Sequence, residues 1–303
     1  MFRHLKKMIL PLAFLILTVG VAGCSTNKST QRSDKINVVA TTDFYGAAAR
    51  AVLGNKGTVT SVINNPNVDP HDYEPTASVG KEVAKANIIV ANGIGYDGWM
   101  DKLAKNTKGQ TYIKVGDDLL GKKDGDNPHL WYRPTTMPTL VNQLAKKYAK
   151  LQPNNKEYFK QNAQKYISSL KPVDQEINKL KNIAHKQKNK AVYVSEPVFD
   201  YALEAMGFKV ANHSFEEDTE NDVDYAPKTI KQMQAGIENH KISLFVFNKQ
   251  VDSKTVNNFV ALAKKNKIPV LPVTETLPKG ENYKTWMLKQ YKQLYNILRS
   301  NQS

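Results

Sequence analysis

"INVVATTDFYGAAARAVLGNKGTVTSVI", residues 36–63, reads as a strand, a helix and a second strand in 28 residues. The first run, "INVVAT" (36–41), and the last, "TVTSVI" (58–63), are short and β-branched, with no polar face between their ends. Between them, "DFYGAAARAVLG" carries apolar residues at helical spacing. A strand, helix and strand joined this tightly form a parallel pair, because a crossover helix returns the chain to the same edge. The same punctuation recurs down the chain. "NIIVAN" (87–92) and "TYIKV" (111–115) complete one set of four strands. "AVYVS" (191–195), "FKVAN" (208–212), "SLFVFN" (243–248) and "PVLPVT" (269–274) form a second set. Helix-like stretches "ASVGKEVAKA", "APKTIKQMQAGIEN" and "SKTVNNFVALAKKN" lie between them. Strands buried on both faces and alternating with helices predict parallel sheets.

The gap between the two sets, residues 135–187, has no strand signal. Tyr158, Ala163, Tyr166, Ile167 and Leu170, followed by Ile177, Leu180 and Ile183, repeat at helical spacing. Pro172 should kink or break that run. The predicted fold is therefore α/β: two Rossmann-like lobes with parallel sheets, residues 36–134 and 188–303, joined by a long interlobe helix within a helical connector, 135–187. A stiff connector of this kind predicts closure by loops and small tilts rather than a wide hinge.

The chain opens on Arg3, Lys6 and Lys7 followed by "MILPLAFLILTVGVAG", an apolar run that reads as a secretory signal peptide over 1–23. "VAGC" resembles a bacterial lipobox, with Cys24, the only cysteine, as the lipidated residue. No disulfide is then available to the mature chain. Residues 24–35 read as a flexible tether. The formal charge of +15 falls to +12 after the leader is removed, 40 basic residues against 28 acidic. The lysines are scattered and no aromatic–basic motif interleaves them, so the charge reads as a solvated surface rather than a nucleic-acid face.

Two stretches carry chemistry. "DPHDYEPT" (69–76) and "NPHLWYRP" (127–134) both contain Asx-Pro-His, and the chain has only six histidines. His71 and His129 follow the carboxyl ends of predicted strands, and Glu196 and Glu275 follow two others directly. Ligands of open α/β sheets bind outside the carboxyl ends of the strands, so two facing lobes would bring these four to one cleft. Two imidazoles and two carboxylates suit a divalent cation. Asp72 and Glu74 are candidate partners for the imidazole N–H groups; Trp131 and Tyr132 are candidates to wall the site. His213, in "VANHSFEED", is the spare ligand, with Glu216, Glu217 and Asp218 read as a mobile or solvated acidic lip. "GIGYDG" (93–98) satisfies a dinucleotide pattern with Asp118 downstream. It follows the third strand rather than the first, in a chain that reads as exported, so no nucleotide is expected there. HExxH, nucleophile-elbow and P-loop patterns are absent, and the chain is not expected to be an enzyme.

Taken together the motifs resemble the metal-binding lipoproteins of bacterial ABC transporters, the adhesin-like lipoprotein family. "PHDYEPT" and "NPHLWYRP" are similar to its first two ligand loops. "SEPVFDY" is similar to the third, where relatives carry histidine or glutamate. "VTETLPKGENYKTWM" is similar to the fourth, where aspartate is commoner than the glutamate found here. The resemblance implies His71, His129, Glu196 and Glu275 as ligands of Zn2+ or Mn2+, with iron a lesser choice. It also implies a lipid anchor at Cys24 outside the membrane, a permease and an ATPase as partners, and a monomer. A surface adhesin with a stabilising metal site is the alternative. Deprotonation of the ligands predicts binding that weakens as pH falls through the histidine range, near about 6.5.

Overall fold

The computed structural model describes residues 35–300. The leader 1–23, Cys24 and the tether up to residue 34 lie outside the described residues. The first sheet contains β1 (Ile36–Thr42), β2 (Gly57–Ile63), β3 (Ile88–Ala91) and β4 (Thr111–Lys114) in the order β2-β1-β3-β4, all parallel. The second contains β5 (Ala191–Val194), β6 (Lys209–Val210), β7 (Leu244–Asn248) and β8 (Val270–Val273) in the order β6-β5-β7-β8, again parallel. The two lobes thus repeat one topology, and all eight strands fall within the runs read from the sequence or one residue beyond them.

Helices cover the sheets for a local reason. In α1 (Asp43–Leu53), Phe44, Tyr45, Ala48, Ala49, Val52 and Leu53 form one buried stripe, the period of a half-buried helix. Gly46 lets this helix lie close to β2: a Cβ there would come within 2.0 Å of the Ser61 hydroxyl. Thr76 caps α2 (Ala77–Lys85) and Ser253 caps α10 (Lys254–Lys265), each hydroxyl accepting a first-turn N–H. The remaining helices of the second lobe include α7 (Asp200–Met206), α8 (His213–Glu220), α9 (Pro227–Glu238) and α11 (Tyr283–Ser300).

The strandless stretch folds as α4 (Thr136–Leu151), α5 (Lys156–Ser169) and α6 (Lys171–Lys186). α4 and α5 pack on each other and on α1, whereas α6 packs on α7 and α11. Only Leu170, in helical dihedrals, separates α5 from α6. Pro172 has no N–H to donate, and the Val173 N–H reaches back three residues to Leu170 instead of four. The interlobe helix is thus interrupted where its first half leaves one lobe and its second half joins the other.

One hydrophobic cluster runs through both sheets and includes Phe44, Trp131, Tyr132, Phe199 and Trp286. Polar bonds cross the same boundary. The Tyr132 hydroxyl donates to the Thr274 carbonyl (2.5 Å), the Tyr283 hydroxyl to the Trp131 carbonyl (2.6 Å) and the Asn127 amide to the Pro197 carbonyl (2.7 Å). Truncating a buried ring of this size costs about 3–5 kcal/mol, and the rings at this boundary belong to the core.

Candidate metal centre

The two Asx-Pro-His motifs share one turn. The Asp69 carboxylate accepts the His71 backbone N–H (2.8 Å), and the Asn127 side-chain carbonyl accepts that of His129 (2.9 Å). Each turn places its imidazole past the carboxyl end of the sheet. In the second, Asn127 does more: its Oδ1 also accepts from the His129 Nδ1 (2.9 Å). Because Asn127 Nδ2 is committed to Pro197, Oδ1 faces the ring and the proton must sit on Nδ1. His129 Nε2 is therefore an unprotonated donor, fully buried and without a hydrogen-bond partner. Asn127, rather than Asp72 or Glu74, supplies the support that metal-bound imidazoles need; Asp72 and Glu74 are exposed.

Around that lone pair the structure gathers His71, Glu275 and Glu220. His71 Nε2 lies 3.4 Å from Glu220 Oε1, and His129 Nε2 lies 4.0 Å from the same oxygen and 3.8 Å from Glu275 Oε1. Donors around an ion with bonds of about 2.1 Å stand roughly 3.4 Å apart in a tetrahedron, so small side-chain movements suffice to enclose one. Glu196 follows β5 as expected, and its Oε2 accepts from the Asn248 amide (3.0 Å). It stands close enough to Glu220 to raise that carboxyl's proton affinity, but the tight histidine cluster contains Glu220 instead. Asp69 closes a second face with His71 and Glu275.

Glu220 is the residue that reading the sequence missed. "HSFEEDTE" folds as α8, not as a mobile lip, with Phe215 and Glu216 buried. The available signal was the spacing of Glu216 and Glu220, one helical turn apart and each next to the stripe of Phe215 and Thr219. His213 lies elsewhere, bonded through Nδ1 to Glu216 (2.5 Å), and is not brought to His71 and His129.

The contacts between histidine and glutamate look like ion pairs, but burial works against the charged form of both partners. His129 is held well below the ordinary imidazole range, by burial first and then by His71. His71 is also lowered by burial. Burial, then the neighbouring Glu196, raises Glu220 to about 8, and burial raises Glu196 to about 7. Glu275 is raised well above the usual carboxylate range by burial, then by Asp69 and Glu220. Like charges and desolvation both oppose ionisation here. Glu220 Oε1 is buried without a hydrogen-bond donor, an arrangement that a cation resolves.

The glycine pattern serves this site. Gly93, Ile94 and Gly95 adopt φ of 79°, 46° and 86°. Asp97 accepts the N–H groups of Asn92 (2.7 Å) and Gly93 (2.9 Å), and Asp117 accepts that of Ile94 (3.0 Å). Asp118 is bonded to the Lys114 N–H (2.8 Å). Carboxylates occupy the amides that a phosphate would need, and the turn delivers Tyr96. Its hydroxyl donates to Glu275 Oε1 (2.9 Å) and its ring meets His71 edge-on at 4.5 Å. Trp131 packs 5.3 Å from the His129 ring and, fully buried, walls the site.

Two facing lobes, strand-end nitrogen and oxygen donors and a shared core define a cation-binding protein of the cleft type. Residues 38–297 match the family described as ZnuA, zinc-uptake complex component A, periplasmic, and the chain belongs to that family. It is 33% identical over 217 residues to the iron ABC transporter substrate-binding lipoprotein MtsA of Streptococcus pyogenes serotype M6, covering 67% of this chain and 69% of that one. It is 30% identical over 292 residues to the manganese ABC transporter substrate-binding lipoprotein PsaA of Streptococcus mitis, covering 90% and 93%. The fold matches the periplasmic zinc-binding protein TroA of Treponema pallidum with a TM-score of 0.70 and 17% identity, over 87% of this chain and 99% of that one.

Proposed function

We propose that this protein captures a divalent transition-metal ion, Zn2+ or Mn2+, between its lobes and delivers it to a membrane permease driven by a separate ATPase. It does so as a monomer, held at the outer face of the membrane by lipid on Cys24, and it performs no catalysis. His71, His129, Glu196 and Glu275 are the ligands implied by the family motifs, and Glu220 joins them. The observation that carries this reading is the pair of buried, unpartnered donor atoms, His129 Nε2 and Glu220 Oε1, facing each other at 4.0 Å. The ion is cargo, so binding must be reversible. Release comes when docking draws the carboxylates of one lobe away from the histidines of the other. The oxygen-rich set accommodates manganese, while zinc binds such sites more tightly. The test is a titration of chelator-stripped protein with both ions in competition, on wild type and His129→Ala. Tight one-to-one binding at this cleft that is lost in the variant supports the reading. Binding that survives the substitution overturns it.

A further inference from the structure

The cavity outside the histidine cluster encloses about 580 Å³ and is bounded on its inner side by His71, Tyr96 and Glu220. Its outer side carries a second set of donors. Ligand atoms of Asp200, His213 and Glu216 lie within 4.8 Å of one another. Asp200 is 6% exposed and Glu216 2% exposed, yet among the described residues no N–H or hydroxyl donor reaches Asp200 Oδ1 or Glu216 Oε2, and the two carboxyls are left to bond each other. Two buried carboxylates facing one another, with no other donor at these oxygens, are costly unless a proton or a cation lies between them. His213 completes the triad from the solvent side, its side chain 65% exposed and its Nδ1 turned to Glu216.

We propose that Asp200, His213 and Glu216 form a second divalent-cation site at the mouth of the cavity, outside the cargo site. Its class of ligand is a borderline transition-metal ion such as Zn2+, which accepts mixed oxygen and imidazole donors. With three protein donors and an exposed histidine it leaves positions for water, so it binds more weakly and exchanges faster than the inner cluster. Helix α8 links the two: Glu216 serves the outer set and Glu220 the inner set, one turn apart on the same face. Among the described residues the cavity is lined by six carboxylates and one lysine, Lys122, in a chain of formal charge +15. That local field concentrates cations at this mouth.

The inference stands on the outer residues and does not require the inner cluster to be the cargo site. The test is equilibrium dialysis of chelator-stripped full chain against Zn2+, with bound metal counted for wild type, His129→Ala, His213→Ala and the double variant Asp200→Asn, Glu216→Gln. Two ions per wild-type chain are expected. His129→Ala should keep the weaker ion, while His213→Ala and the double variant should weaken it about tenfold or more and keep the tighter one. His213 is exposed but bonds the buried Glu216, so melting curves of both His213→Ala and the double variant check their folds. One ion in wild type with no response to His213→Ala overturns the proposal, as does a second ion that persists unchanged in the double variant. A single ion in wild type that is lost in His213→Ala and kept in His129→Ala would count against the proposed function and leave this site standing.

Discussion

The two lobes share one strand order but bring opposite chemistry to the cleft. The first offers neutral nitrogen donors on proline-stiffened turns, with the tautomer of His129 fixed by Asn127 and the turn closed before any ion arrives. The second offers carboxylates, Glu196, Glu220 and Glu275, buried against one another and pushed toward the protonated form. One half is built in its binding state; the other is destabilised until a cation enters. On the proposed reading, the first lobe sets how strongly an ion is held and the second, whose carboxyls must give up protons, sets how that hold varies with pH.

Breaking the prepared half should have the largest effect. His129→Ala removes a fully buried donor and should lower affinity for Zn2+ and Mn2+ by more than about 100-fold, beyond what loss of a supporting residue costs. Competition against a fluorescent chelator measures it; a loss under tenfold would remove His129 from the ligand set.

The destabilised half should reveal itself through pH. Binding requires Glu220 and Glu196 to lose protons held up to about 8 and about 7. Affinity should therefore fall from about pH 8 downward, by up to roughly tenfold per pH unit for each proton displaced. This moves the onset above the histidine range of about 6.5 expected from the sequence, because burial already keeps the imidazoles neutral. Stability has the matching sign. These carboxylates have folded pKa values raised above 4.5, so their contribution is present below that value and lost as pH rises through about 7 to 8. Metal-free protein should melt at lower temperature at pH 9 than at pH 6, and loaded protein should not. An affinity flat from pH 8 to pH 6 would mean that the carboxylates do not lose protons to the ion.

Asn127 tests the preparation itself. Asn127→Ala frees the His129 ring and severs the amide bond to Pro197 across the lobes; a fall of about 10–100-fold is expected. An unchanged affinity with a normal melting curve would show that the turn alone orients the ring.

What could be read in the chain follows the same division. The strands and the two histidine loops were legible because β-branched runs and Asx-Pro-His are local patterns, each decided by its own few residues. Glu196 and Glu275 were legible as strand-end residues, but their rank among the carboxylates was not. Glu220 was the hardest to read: an acidic segment reads as solvated surface, and the faint helical spacing of Glu216 and Glu220 gains meaning only once Phe215 packs α8 onto the lobe. Asp72 and Glu74 are the candidates that sequence suggests for the imidazole N–H groups, whereas the bond to His129 comes from Asn127, an amide two residues before it. The break at Leu170 was foreseen from Pro172, though not that α4 and α5 would fold back together on the first lobe.

The smallest expected effect joins the two halves. Tyr96 comes from the glycine turn of the first lobe and donates to Glu275 of the second. That bond is one of the few influences lowering the proton affinity of Glu275, against burial and its acidic neighbours. Tyr96→Phe keeps the ring against His71 and deletes only the hydroxyl. A hydrogen bond to a charged group contributes about 1.5–3 kcal/mol, but an ion that binds Glu275 can take over part of the work of holding it ionised. A loss of roughly three- to tenfold is therefore expected, growing as pH falls because Glu275 now holds its proton more strongly. A uniform loss at every pH would assign Tyr96 a packing role against His71, and would leave the carboxylates of the second lobe to be tuned by burial and their mutual repulsion alone.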